Sequence, residues 1–170
     1  LVRWLAADPS TRVTVADIKR PTYFLPDNAC YLYCDVRRPI PASEAVQPTT
    51  VVNLAAVHQT PGHADFEYYE TNKSGAENVT EFCTTLDVKS LWFSSSIAVY
   101  GPSDGLLSEN SPLAPKSAYG NSKKLAEDIH REWANRQTDR RLLIVRPAAI
   151  FGPGENGNFT RLAKALNAGF

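Results

Sequence analysis

The chain has 170 residues, enough for one domain with a core of its own. Its 43% hydrophobic and 21% charged content is that of an ordinary soluble globular domain. Eighteen basic residues balance eighteen acidic ones, so no charge excess points to nucleic acid or a membrane surface, and no apolar run nears the roughly 20 residues that span a bilayer.

In chain order, "LVRWLAADPS" reads as part of an amphipathic helix, and the chain lacks methionine, which predicts a fragment whose true start lies upstream. "TRVTVAD" (Thr11 to Asp17) is rich in β-branched residues and predicts a strand ending at an acid. "CYLYCDV" predicts a second short strand near another acid, Asp35. After a Pro-rich segment, "TTVVNLAA" is a nearly continuous apolar run, the pattern of a strand buried on both faces. "ETNKSGAENVTEFCTTL" has helical spacing, with Ala76, Val79 and Cys83 on one stripe. "SLWFSSS" is the next strand, and "GPSDGLLSENSPLAPKS" a turn-rich loop. From Ser117 the pattern is helical, with Leu125, Ile129 and Trp133 on the side expected to be buried. "RRLLIVRPAAIF" predicts another buried strand, and a last helix covers Phe159 to about Asn167. Strands alternating with helices predict an α/β fold, a doubly wound parallel sheet with helices on both faces.

The cysteines are Cys30, Cys34 and Cys83. An odd number without a C-x-x-C pair argues against a disulfide framework or a zinc site. Cys30 and Cys34 are expected to pack as small apolar residues, which fits a reducing, cytoplasmic compartment. His58 and His63 stand in "HQTPGH" without a third ligand at suitable spacing, so no metal is expected.

Three pieces fall where a doubly wound sheet places its ligands, at the carboxyl ends of strands. Asp17 closes an early strand, where an acid can hydrogen-bond both hydroxyls of an adenosine ribose and favours NAD over NADP; the same acid also suits a simple turn. Lys19 and Arg20 pull the other way, since either can reach a phosphate. The serines of "SSSIAVYG" need hydrogen-bond partners that a cleft or a strand-end cap can supply. Tyr119 and Lys123 in "YGNSK" are four apart on one helical face, where the ammonium is expected to lower the phenol pKa from about 10 toward a usable acid–base range. Near the C-terminal end, Gly152, Gly154 and Gly157 have the G-x-G-x-x-G spacing of a dinucleotide fingerprint. Pro153 removes a backbone donor where amides should face a pyrophosphate, and the acids that would serve the ribose and adenine lie far upstream.

In family order, "VADIKRP", "CDVRRP", "VVNLAAVH", "TNKSGAENV", "FSSSIAVYG", "SAYGNSKKLAE" and "VRPAAIFGPG" resemble the blocks of the extended short-chain dehydrogenase/reductase family, in particular its NAD-dependent nucleotide-sugar epimerases and dehydratases. The resemblance implies a Rossmann-like NAD-binding domain over residues 1–150 and the start of a substrate-binding region over 151–170. It implies that the first strand with its glycine loop, and most of the C-terminal substrate domain, lie outside this sequence. It follows that this chain alone is expected to bind NAD poorly and not to turn over. Gly152 to Gly157 then belong to a late loop on the substrate side.

Carried over by motif, the resemblance assigns Ser96, Tyr119 and Lys123 to catalysis. Asp17 and Ile18 would flank the adenosine ribose, and Asp35 and Val36 the adenine, with the Asp35 carboxylate accepting from its amine. Leu54, Ala55, Ala56, Asn72, Ser94, Pro147 and Ala148 would line the cofactor together with Tyr119 and Lys123. His58, Ser96, Ala149 and Asn158 would meet a nucleotide-sugar substrate. The implied reaction is epimerisation through a transient keto-sugar by hydride transfer. Similar dehydratases carry an Asp-Glu pair where this chain has Ile97 and Ala98, which disfavours dehydration. Ala149 replaces an asparagine of many epimerases, which leaves open a reductase or dehydrogenase of another alcohol, or a catalytically silent NAD-binding protein. Relatives imply a homodimer through the helices containing Asn78 and Ile129, with no membrane or nucleic-acid partner.

Overall fold

The computed structural model describes residues 1–42, 47–58, 62–152 and 158–169, without the side chains of Asn158 and Phe159. A short helix α1 (Val2–Leu5) precedes the parallel pair β1 (Val13–Asp17) and β2 (Ala29–Tyr33), in which Val13 is opposite Ala29 and Asp17 opposite Tyr33. Next come β3 (Thr50–Asn53), the one-turn helix α2 (Asp65–Tyr68), a π-helical turn (Tyr69–Ser74) and α3 (Gly75–Thr85). β4 (Ser90–Ser94), a 3-10 turn (Ile97–Val99), α4 (Ala118–Asn135), β5 (Arg141–Val145) and α5 (Asn158–Asn167) complete the chain.

Among the described residues the strands form two parallel ladders, β1-β2 and β3-β4-β5. Parallel pairing puts every strand's carboxyl end on the same rim of its ladder. The ladders are tied together by Val36, just beyond β2, which packs into the core beside α3. Its carbonyl accepts a 2.7 Å hydrogen bond from Asn78 Nδ2. Gly75 opens α3 against the same residue, and a methyl there would sit 2.9 Å from Val36 Cγ2. Asn78 is thus spent inside the subunit, and Ile129 packs on Ala76, Phe93 and Ala126. These two residues, which mark the helices expected at a dimer contact, themselves turn inward.

The core lies between one face of β3-β4-β5 and the helices α3 and α4. Val79, Cys83, Val88, Leu91 and Trp133 form its larger part. The stripe expected on α3 is buried as predicted. Burial on both faces of the strands is not found among the described residues. Leu91 and Phe93 are covered, whereas Leu143 and Val145 on the opposite face are exposed. Among the described residues, α3 and α4 cover one face of this sheet, so the strands alternate inside and outside. Cys30 is exposed rather than packed, Cys34 is half-buried, Cys83 is buried, and all three are free. No helix among the described residues is long and apolar enough to cross a membrane.

Candidate active site

β4 ends in three serines, and each meets a different residue of α4. The Ser94 carbonyl accepts from Lys123 Nζ at 2.9 Å. Ser95 Oγ donates to Glu127 Oε1 at 2.6 Å. Ser96 Oγ caps the 3-10 turn by accepting from Ala98 N at 3.2 Å, and its hydroxyl lies beside the Tyr119 phenol. Tyr119, Lys123 and Glu127 recur every four residues, so one helical face reads one strand end, residue against residue. Ser94 thus enters through its carbonyl, Ser95 is buried on Glu127, and Ser96 both caps the turn and faces the tyrosine.

α4 begins at Ser117, whose hydroxyl accepts from Gly120 N at 3.0 Å and so caps the helix. Gly120 lets the helix close on the turn after Ser96, because a methyl there would lie 2.6 Å from the Ala98 carbonyl oxygen. The Tyr119 ring leans on the buried Tyr68, with centroids 6.1 Å apart. Ser122 Oγ donates to the Tyr119 carbonyl at 2.8 Å. Tyr119 is thereby fixed from both its ring and its backbone.

The electrostatics differ from the sequence-based expectation. Burial pushes the Tyr119 phenol above its ordinary value, and the neighbouring Ser96 hydroxyl only partly offsets this. The Lys123 ammonium is directed to Ser94 and over the Phe93 ring, 4.8 Å from its centroid, rather than to the phenol. Burial lowers Lys123 to about 8. Burial also works against the Glu127 carboxylate, but hydrogen bonds from Arg146 and Ser95 outweigh it and hold Glu127 below its ordinary value. Arg146 donates from Nε (2.8 Å) and Nη2 (2.7 Å) to the two Glu127 oxygens, and from Nη1 to Tyr100 Oη (2.6 Å). Each arm of the guanidinium is therefore committed.

The buried face of α4 carries Ser122, Lys123, Glu127 and His130 beside Ala126 and Trp133. Leu125, predicted to be buried, is 37% exposed, and Ile129 is half-buried. The helix turns a polar side inward because Ser122, Lys123, Glu127 and His130 each find a partner there, a pairing that hydrophobic periodicity does not register.

The segment after β3 is held by two amide side chains. Asn53 Oδ1 accepts from Ala55 N at 3.2 Å. Asn72, in the π-helical turn, accepts from Val57 N (3.0 Å) and donates to Val57 O (3.1 Å) and Ser122 Oγ (2.9 Å). Every polar atom of this amide that the hydrogen bonds name is spent on chain and helix. Leu54 is exposed while Ala55 and Ala56 are half-buried.

At the other ladder, Asp17 is exposed, with one carboxylate oxygen accepting from Lys19 N at 2.8 Å. Ile18 beside it is exposed. The Asp35 side chain is 8% exposed and both its oxygens accept from Arg37, at 2.9 Å from Nε and 2.7 Å from Nη2. That side-chain hydrogen bond holds Asp35 at about 2. Pro147, after β5, gives its carbonyl to Ile97 N at 3.1 Å, and Ala148 and Ala149 follow exposed. His58 is exposed, and His63 pairs with Glu67 at 2.8 Å. Pro153 to Gly157 and the Asn158 side chain lie outside the described residues.

Sequence reasoning missed Glu127, Arg146, Asn53, Arg37 and Tyr68. Of these only Glu127 carried a readable signal, the continuation of the Tyr119–Lys123 four-residue spacing.

A model of the NAD dependent epimerase/dehydratase family matches residues 1–169. N-acetyl-alpha-D-glucosaminyl-diphospho-ditrans,octacis-undecaprenol 4-epimerase of Escherichia coli O157:H7 is 41% identical over 121 residues, 71% of this chain and 37% of that protein. UDP-glucose 4-epimerase 2 of Oryza sativa subsp. japonica is 36% identical over 80 residues, 46% of this chain and 20% of its own. Among solved structures, a UDP-galactose 4-epimerase has the same fold at a TM-score of 0.82 and 23% identity, over 99% of this chain and 58% of its own. TunA, described as an NAD dependent-NDP-hexosamine 5,6-dehydratase, gives 0.81 at 26% identity, over 99% of this chain and 57% of its own. The chain therefore spans about a third of the first of these relatives and under three-fifths of the structures. With a family match along nearly its whole length and the same Rossmann-like arrangement, this chain belongs to the NAD dependent epimerase/dehydratase family.

Proposed function

We propose that this chain is the cofactor-binding part of an NAD-dependent nucleotide-sugar epimerase. The observation that carries the reading is the single face of α4 that sets Tyr119 against Ser96 and Lys123 against Ser94. The relatives' names, with their UDP-sugar and lipid-diphosphate-sugar epimerases, support it. The domain division at residue 150 belongs to the same proposal.

The residues along the strand ends suit NAD. Asp17 keeps one carboxylate oxygen clear of its Lys19 hydrogen bond for a ribose, and the Asp35–Val36 turn sits close on Gly75. Ile18 would border the ribose, Val36 the adenine, and Leu54 to Ala56, Ser94, Pro147 and Ala148 the rest of the dinucleotide. Asn72 would act by holding Val57 rather than by touching it. With Arg37 on both its oxygens, Asp35 would receive an adenine amine only alongside that pair. Bound NAD supplies a hydride acceptor carrying one positive charge.

Tyr119 exchanges the proton of the reacting sugar hydroxyl, taking it as that carbon is oxidised and returning it after the keto-sugar presents its other face. Ser96 holds the same oxygen. The phenol, raised by burial, rests in its acid form, and added positive charge in the filled site would draw it toward the phenolate. Lys123, held at Ser94, would bind a ribose hydroxyl. His58, Ala149 and Asn158 would border the sugar. Ile97 and Ala98 offer no acid for dehydration. A homodimer through the outer faces of α3 and α4 and a cytoplasmic location complete the proposal.

Full-length protein with NAD should convert UDP-glucose or UDP-N-acetylglucosamine to its 4-epimer, read by proton NMR, without accumulating NADH. Stoichiometric NADH would instead support a dehydrogenase, and neither product would sink the catalytic reading for these sugars.

A further inference from the structure

His130 is fully buried on α4, away from the catalytic end of the helix, with its ring stacked 4.3 Å from that of Phe93. Its Nδ1 faces the Ala126 carbonyl, which can only accept, so Nδ1 carries the proton. Nε2 lies 3.2 Å from Asn53 Nδ2. The Asn53 amide is oriented by its other end, where Oδ1 takes the Ala55 N–H, so Nδ2 is the donor and a neutral Nε2 the acceptor. Burial lowers His130 to about 4, in keeping with a neutral ring.

Ala126, His130, Asn53 and Ala55 thus form one directed chain of hydrogen bonds. It runs from the helix of Tyr119 and Lys123 to the first residues after β3. Asn53 is 5% exposed, and among the described residues each end of its amide has one partner, so neither can turn without orphaning a buried group. The next anchor of the same segment, Asn72 on Val57, also returns to α4 through Ser122.

We propose that Asn53 and His130 are a positioning pair that fixes Leu54 to Ala56, and through them the dinucleotide, relative to the helix bearing Tyr119 and Lys123. The link to the dinucleotide rests on the function proposed above; the link to the segment does not.

The test uses the full-length protein. His130→Leu removes the acceptor and should speed hydrogen exchange of the peptide covering residues 50–58, measured by mass spectrometry. It should also raise the NAD dissociation constant about tenfold by calorimetry, with the loss larger in Kd than in kcat. His130→Gln restores an acceptor oxygen and should recover most of the affinity. Asn53→Asp keeps the acceptor for Ala55 but removes the donor, so His130 should become an imidazolium with both nitrogens protonated at neutral pH, visible in its nitrogen-15 spectrum. Unchanged exchange in His130→Leu, or a neutral His130 in Asn53→Asp, overturns the pair. If His130→Leu does not fold, the Asn53→Asp spectrum decides. Failure of the unmodified protein to bind NAD sinks the functional reading instead, and the exchange and nitrogen-15 results still decide the pair.

Discussion

Tyr119 shows how one residue's chemistry depends on what surrounds it. Its spacing from Lys123 is plain in the sequence, but the ammonium goes to a strand-end carbonyl and leaves the phenol raised by burial. Under the proposed function, Tyr119→Phe in the full-length protein should lower kcat by about 100- to 10,000-fold, the usual worth of a general acid–base group, with NAD affinity nearly kept. An unchanged kcat would remove Tyr119 from the chemistry. Ser95 makes the complementary case. Flanked by two other serines it looks equivalent to them, yet it alone is spent on Glu127, two helical turns beyond Tyr119. Only the packing of β4 on α4 separates the three hydroxyls.

At the scale of elements, α4 decides the site. It is capped by Ser117, pressed on the Ile97–Val99 turn at Gly120, and anchored to two strand ends by Lys123 and Glu127. Gly120→Ala drives a methyl into a backbone carbonyl and should cost roughly 1–3 kcal/mol in urea denaturation, as overpacking does. Because the displaced turn begins beside Ser96, kcat should fall as well. Glu127→Ala leaves Arg146 buried without its partner and should cost about 3–5 kcal/mol. A loss below 1 kcal/mol would show that the pair is dispensable. The limits of α4 were legible in the sequence: the predicted start at Ser117 is its cap, and Trp133 is buried as expected. The inward face was not, because Leu125 and Ile129 fit the periodicity while Lys123, Glu127 and His130 take the interior by pairing.

Across the whole molecule, the buried His130 links folding to acidity. Its folded value, about 4, lies below the ordinary 6.5, so the unfolded chain binds the proton first as pH falls. Stability is fully present above about pH 6.5 and is lost toward pH 4, by as much as roughly 3 kcal/mol. Denaturation at pH 7.5 and 4.5 should show a smaller difference in His130→Gln than in the unmodified protein; equal differences would exclude His130 as the source. The Asp35 and Glu127 carboxylates, both lowered, give up their contribution at more acid values, below the ordinary carboxylate range, so the histidine window stands apart.

By itself the sequence determined the order of strands and helices, the acids near the ends of the first two strands and the four-residue spacing of Tyr119 and Lys123, since those follow from local periodicity and spacing within one element, while Ser96 was singled out by family resemblance. The tertiary structure decided which serine faces the tyrosine, where the lysine points, that Arg37 occupies Asp35, and that Asn53 and His130 meet across 77 residues. Each of these depends on groups far apart in the chain competing for the same few partners in a buried space. Local pattern holds no record of which one wins.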